Sequence, residues 1–206
     1  MKTVLIAGAG TGIGRTLAQT LREQGINVIT RQADPGLSET LPEKPLHGLI
    51  YCPSPREGGD KSHEDLMHDL FLEQLAAIRV IVPCLSSLNI THNSSVILFT
   101  TLPAATSENY AARVEALEML MIKLSVDLGP VIRVNAIAIV PVNPGQEVSS
   151  ALENQGHVSG IFDEQFMRQS YESGNIMAKV SLLLSDSGSP VTGHVFIYEV
   201  SEDQYA

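Results

Sequence analysis

TVLIAGAGTGIGRTLAQTLREQG, residues 3–25, starts as an unbroken apolar run, passes four glycines and turns into a helical pattern. TVLIAG (3–8) lacks the polar alternation of a half-exposed strand, so it reads as a strand buried on both faces. Beyond the glycines, Ile13, Leu17, Ala18 and Leu21 recur at three- and four-residue spacing as far as Gly25, which predicts an amphipathic helix. A doubly buried strand that feeds a helix through a tight turn is the start of a parallel βαβ unit.

The rest of the chain repeats the alternation. INVIT (26–30) reads as a second strand, and residues 31–46, with three prolines and no period, as a loop. HGLIYC (47–52) is a third strand, stopped by Pro53 and Pro55. Ser62 and Asp65 have the spacing of a capping pair for a helix through about Leu88, with Pro83 marking a kink or break. SVILFTT (95–101) is a strand, and Ser107 caps a helix that carries Tyr110 and ends near Gly129. VIRVNAIAIV (131–140) is another strand, and 141–160, rich in Pro, Gly, Ser and Asn, is a loop long enough to carry function. Helical patterns at 162–172 and 175–186 precede a last strand, HVFIYEV (194–200). The expected fold is α/β, a doubly wound parallel sheet of Rossmann type in a single domain spanning 1–206. In such sheets ligands bind beyond the carboxyl ends of the strands, so the loops after residues 8, 30, 52, 101 and 140 should face one crevice.

Composition narrows the partners. The net charge is -10, with five Lys/Arg against four Asp/Glu in residues 1–50 and eight against nineteen in the remainder. An acidic bulk argues against nucleic acid and anionic membrane, while the near-neutral N-terminal quarter can still accept a phosphate-bearing ligand. Cys52 and Cys84 form no C-x-x-C pair, so neither a disulfide framework nor a zinc knuckle is expected. No apolar stretch reaches the ~20 residues that span a bilayer. The start has no cleavage-site pattern, and a cytoplasmic location is expected. No metal site is expected either: His63 and His68 are one residue too far apart for a zincin pair, and no G-x-S-x-G elbow exists.

The turn reads G-A-G-T-G-I-G, and its candidate cofactor contacts are Gly8, Gly10, Thr11, Gly12, Ile13 and Gly14. Glycines there permit a tight turn, let backbone approach a pyrophosphate and aim helix N–H groups at the anion. The strict G-x-G-x-x-G fits no register, and a P-loop fails because Arg15 stands where its lysine belongs. G-x-x-x-G-x-G, from Gly8 to Gly12-Ile13-Gly14, does fit. A glycine-rich turn with no ligand is the bland alternative.

With these residues the chain resembles the short-chain dehydrogenase/reductase family, whose turn is T-G-x-x-x-G-I-G; Ala7 replaces the threonine. The resemblance runs nearly end to end. The family's Y-x-A-S-K-A-A-L helix is matched by Tyr110 to Leu117, its I-R-V-N-A-I strand by Ile132 to Ile137, and its terminal T-G-Q-V by Thr192-Gly193-His194-Val195. Departures matter as well. The family's N-N-A-G becomes Tyr51-Cys52-Pro53-Ser54, which makes Cys52 and Pro53 the expected cofactor neighbours there, and the short interval before HGLIYC implies a missing strand–helix segment after the second strand.

The resemblance implies an NAD(P)-dependent oxidoreductase acting on a small carbonyl or alcohol substrate. Tyr110 would be the general acid/base and Thr101 would stand at the serine position that holds the substrate carbonyl. The family's lysine, four residues after the tyrosine, is Val114 here, and Arg113 is a candidate replacement on a neighbouring face. An unassisted tyrosine titrates near ~10 and is almost wholly neutral at pH 7, so carbonyl reduction should suffer less than alcohol oxidation. The second strand ends on Arg31 rather than an acidic residue, which tilts the cofactor toward NADP(H) over NAD(H). The resemblance also implies a homodimer or homotetramer paired through the helices within 63–88 and 107–128. Two alternatives stay open: a non-catalytic relative that senses cofactor or serves as a structural subunit, and a fold that has lost the nucleotide. Tyr110, Thr101 and Arg113 each have a plain packing or surface reading too.

Overall fold

The computed structural model describes residues 2–10, 12–33, 45–53, 63–88, 94–100, 107–142, 176–186 and 191–201. Six parallel strands form one sheet: β1 (Thr3–Ala7), β2 (Asn27–Arg31), β3 (Gly48–Tyr51), β4 (Ser95–Thr100), β5 (Arg133–Val142) and β6 (Val195–Ser201), in the order β2-β1-β3-β4-β5-β6. Helices α1 (Gly12–Glu23), α2 (His63–Cys84), α3 (Ser107–Leu128) and α4 (Ile176–Leu184) flank it. The doubly wound parallel sheet expected from the sequence is the one observed.

Two cores explain why the strands read as continuous apolar runs. On one face Leu5, Leu49, Val96 and Leu98 pack with Ala77 and Ile81 of α2 and Met121 of α3. On the other, Ile6, Ile50, Ile97 and Phe99 pack with Leu17 and Leu21 of α1 and Val180 and Leu183 of α4. Side chains alternate between faces along each strand, yet both faces are covered, so most positions favour apolar residues. Each fully buried Leu or Ile contributes about 1.5–3 kcal/mol relative to exposure.

The first helix is bounded as its sequence suggests. Gly25 takes φ 79°, the Gly25 N–H donates to the Arg22 carbonyl at 2.9 Å, and the Ile26 N–H donates to the Leu21 carbonyl at 3.0 Å. That is a Schellman termination, in which a left-handed glycine lets the chain reverse toward β2. At the end of α2, Pro83 sits in the last helical turn, and residues Leu85–Ser87 tighten into a 3-10 turn rather than extending the α-helix to Leu88.

Other boundaries move for identifiable reasons. β5 runs to Val142, two residues into the stretch expected to be loop, because β6 pairs with it as far as Val142↔Ser201. Pro141 is tolerated there: β4 pairs only up to Thr100↔Ala138, so Pro141 lies past β4's end. Of the two late helical patterns, 175–186 forms α4, whereas 162–172 lies outside the described residues, as does Ser62 of the capping pair.

The I-R-V-N and T-G-H-V motifs meet in space. Asn135, fully buried, donates from Nδ2 to the Val191 carbonyl at 2.9 Å and accepts the His194 N–H at 3.2 Å. Thr192 Oγ1 accepts the Val134 N–H at 3.0 Å, and the Gly193 N–H donates to the Val134 carbonyl at 2.8 Å. Buried polar groups of β5 are thereby satisfied by the segment that starts β6, which fixes the register of that pair.

The missing segment is also legible. β2 pairs with β1 on one side, and among the described residues no strand lies beyond it. Ala33 and Leu46, at the two ends of the β2–β3 connection, both belong to the core beneath α2 and α3, so the connection enters and leaves on that face.

Candidate functional site

The carboxyl ends of β1 and β3 meet at the glycine turn. The Cys52 N–H donates to the Ala7 carbonyl at 2.8 Å, and the Gly8 N–H donates to the Arg31 carbonyl at 2.9 Å. Gly8 has φ 92°, and a Cβ on it would collide with the Cys52 carbonyl. Gly14, in the first turn of α1, is packed so closely that its Cβ would collide with the Gly8 carbonyl. Two glycines of the motif are thus demanded by the fold itself, through strand–turn–helix packing.

Gly10 is different. Its φ is outside the left-handed range, and no described residue lies within 4 Å of where its Cβ would be. Among the described residues the fold gives no reason for a glycine here, and a side chain would project into the open space beside the turn. Immediately beyond, α1 begins at Gly12, and its first N–H groups have no intrahelical partner. Helix N–H groups beside an open glycine turn fit a pyrophosphate.

Around this turn the described candidates are placed as follows. Ile13 packs against the α1/α4 core, and Cys52 and Pro53 are buried at the end of β3. Burial pushes the Cys52 thiol far above the ordinary thiol range, so it is inert as a nucleophile. Arg31 ends β2, next to the turn; burial raises the Cys84 thiol of α2, and the Arg31 charge partly opposes that rise.

The chemistry-bearing candidates are less fully placed. Thr11 and Thr101 lie outside the described residues. At Tyr110, Arg113 and Val114 the backbone alone is described: all three fall in the first two turns of α3, which follows β4 and starts at the carboxyl side of the sheet. That puts them on the same edge as the glycine turn. Among the described residues no group of three or more His, Cys, Asp or Glu could hold a metal ion, and no helix is long and apolar enough to cross a membrane.

One residue escaped the sequence reading. Arg15 Nε and Nη2 both donate to the Gly10 carbonyl, at 3.2 and 2.5 Å, folding the side chain back over the turn. The five-residue separation spans the end of the turn and the start of α1, so neither strand nor helix periodicity reveals it.

No family model matches the chain, and no curated protein matches its sequence. Solved structures do match. An oxidoreductase (short chain dehydrogenase/reductase) from Brucella ovis is 22% identical, with 96% of this chain and 99% of that one covered at a TM-score of 0.60. A Brucella ovis oxidoreductase of the same family, in complex with a partially ordered NAD, is 20% identical over 96% and 99% of the two chains at 0.55. A C-terminal deletion mutant of Thermoplasma acidophilum aldohexose dehydrogenase is 16% identical over 96% and 95% at 0.58. At these identities the likeness shows the fold, and it is the fold that the glycine, I-R-V-N and T-G-x-V motifs pointed to.

Proposed function

We propose that this chain, which has the fold of the short-chain dehydrogenase/reductases, is a nicotinamide-dinucleotide-dependent oxidoreductase that reduces a small carbonyl compound. The observation that carries the reading is Gly10, a glycine that neither its backbone conformation nor packing among the described residues requires. Gly8, Gly10, Thr11, Gly12, Ile13 and Gly14 would hold the pyrophosphate side, with Cys52 and Pro53 walling the pocket beyond β3. Bound there, the cofactor supplies the hydride. Tyr110 donates the proton to the carbonyl oxygen from its neutral phenol, Thr101 holds that oxygen, and Arg113 supplies positive charge one turn along α3. The preference proposed is NADP(H), from basic rather than acidic side chains beside the turn.

The test is Gly10→Ala. Thermal unfolding should be close to wild type, whereas NADPH binding should weaken by at least about tenfold because the methyl occupies the ligand's place. Unchanged affinity would count against a dinucleotide on this turn.

A non-catalytic, cofactor-sensing relative is the second reading, favoured by Val114 at the lysine position and by Tyr51-Cys52-Pro53-Ser54 in place of N-N-A-G. A homodimer or homotetramer is proposed for either. On α2, Phe71 and Val82 are 64% and 53% exposed; on α3, Met119 and Val126 are 60% and 72% exposed. Apolar side chains on two neighbouring helices are the kind of surface a partner covers. Sedimentation should give the mass of two or four chains and, for Val126→Asp, a shift toward one with thermal stability retained. Wild-type protein at the mass of one chain would rule the assembly out.

A further inference from the structure

We propose that His47 makes the amino end of the sheet acid-sensitive, its imidazole joining β1 to β3 only while the ring is uncharged. The Thr3 N–H donates to His47 Nδ1 at 3.1 Å, and the His47 N–H returns a bond to the Thr3 carbonyl at 2.8 Å. A backbone N–H can only donate, so Nδ1 must be the unprotonated nitrogen of a neutral ring. In an imidazolium both nitrogens carry hydrogen, and the bond to Thr3 is lost.

The backbone around the ring is held in place. The His47 carbonyl accepts the Ser95 N–H at 3.2 Å, the Leu46 N–H donates to the Ser87 carbonyl at 2.6 Å, and Ser94 Oγ donates to the Leu46 carbonyl at 3.1 Å. Leu46 and His47 are thus tied to β1, to β4 and to the turn after α2. The half-exposed ring yields by swinging out to water when charged, and the buried Thr3 then keeps an N–H without its partner. The loss falls beside Val4↔Gly48, where the pairing of β1 with β3 begins.

The charged groups around this joint keep their charge while histidine titrates. Lys2, the residue before Thr3, sends Nζ to the end of α4, where it meets the Leu184 carbonyl at 3.1 Å and Asp186 at 3.0 Å. Arg133, in register with Ser95, donates to the Ser185 carbonyl at 3.3 Å. The side chains of Thr3, Asn27, Ser87, Ser94 and Ser95 do not titrate, and Glu43 and Lys44 lie outside the described residues. Ammonium, guanidinium and carboxylate groups ordinarily stay charged between about pH 5.5 and about pH 7.5, the interval in which an ordinary imidazole gains its proton. In the folded chain the bond from Thr3 favours the neutral ring, so the unfolded chain takes up the proton more readily. Stability is therefore full above ~6.5 and declines as the pH falls below it. The joint lies at the opposite end of the strands from the glycine turn, and the device does not depend on a cofactor there.

Urea unfolding of full-length wild type and His47→Asn is compared at about pH 7.5 and about pH 5.5, on either side of the ordinary histidine range. An asparagine Oδ1 stands close to the place of Nδ1 and accepts the Thr3 N–H at either pH. On acidification the wild-type unfolding constant should rise about three- to tenfold more than that of His47→Asn, tenfold being the limit for one histidine that titrates near ~6.5 when unfolded. Equal pH dependence in the two chains overturns the proposal. Titration of the wild-type imidazole resonances by NMR decides the matter even if His47→Asn does not fold. The His47 ring, assigned through its contact with the Thr3 amide, should remain mostly neutral at about pH 6, where a free histidine is mostly charged. A ring half-charged at ~6.5 or above overturns the proposal as well.

Discussion

Gly8→Ala is expected to destabilise the chain by ~4 kcal/mol or more, placing it among the rare severe single substitutions. Two costs combine. A left-handed backbone costs an L-residue roughly 1–2 kcal/mol, and Gly8 has φ 92°. The larger cost is steric: the new Cβ would meet the Cys52 carbonyl, which is backbone and cannot rotate away, because the Cys52 N–H is tied to Ala7. Relief would require parting the ends of β1 and β3, strands that pair from Val4↔Gly48 to Ala7↔Tyr51. Against a typical total stability of ~5–15 kcal/mol, little would remain. Urea unfolding measures it; a midpoint within error of wild type would show that the turn is not packed as described.

The second large effect is on turnover. Tyr110→Phe should lower kcat/KM for carbonyl reduction by ~10²–10⁴, the range that a positioned general acid supplies, while NADPH affinity hardly changes. The phenol oxygen is the only atom removed, so packing is nearly conserved. Val114→Lys is the complementary variant: an ammonium four residues along α3 reaches Tyr110's face and favours the phenolate. Alcohol oxidation, which needs that phenolate, should rise more than carbonyl reduction. Steady-state rates in both directions check this. Equal activity of Tyr110→Phe and wild type would remove Tyr110 from the chemistry, and a wild type without turnover that still binds cofactor would favour the sensing relative.

How much of this was legible in the sequence depended on the range of the interactions involved. The β1–turn–α1 unit was readable because its signals are local: continuous burial in Thr3–Ala7, glycines, then Leu17 and Leu21 one turn apart on the face packed against the sheet. The end of β5 was not, because Val142 is strand only by virtue of Ser201, a residue far along the chain. The I-R-V-N and T-G-H-V motifs were visible without their reason, which is the pairing of Asn135 and Val134 with residues 191–194. Within the glycine turn, spacing made the four glycines look equivalent. Structure separates Gly8 and Gly14, required by backbone approach, from Gly10, beside which no described residue lies. Arg15 was read only as a residue that breaks a P-loop, since its bond to Gly10 depends on the side chain folding back across the turn.

Whether the glycine turn holds a dinucleotide is decided by calorimetric titration of the wild-type chain with NADPH and with NADH. Saturable binding of at least one is expected, tighter for NADPH, at about one cofactor per chain. No heat of binding for either at millimolar concentration would contradict it, leaving the open space at Gly10 unexplained and Tyr110 a helix residue of a fold that no longer holds a nucleotide.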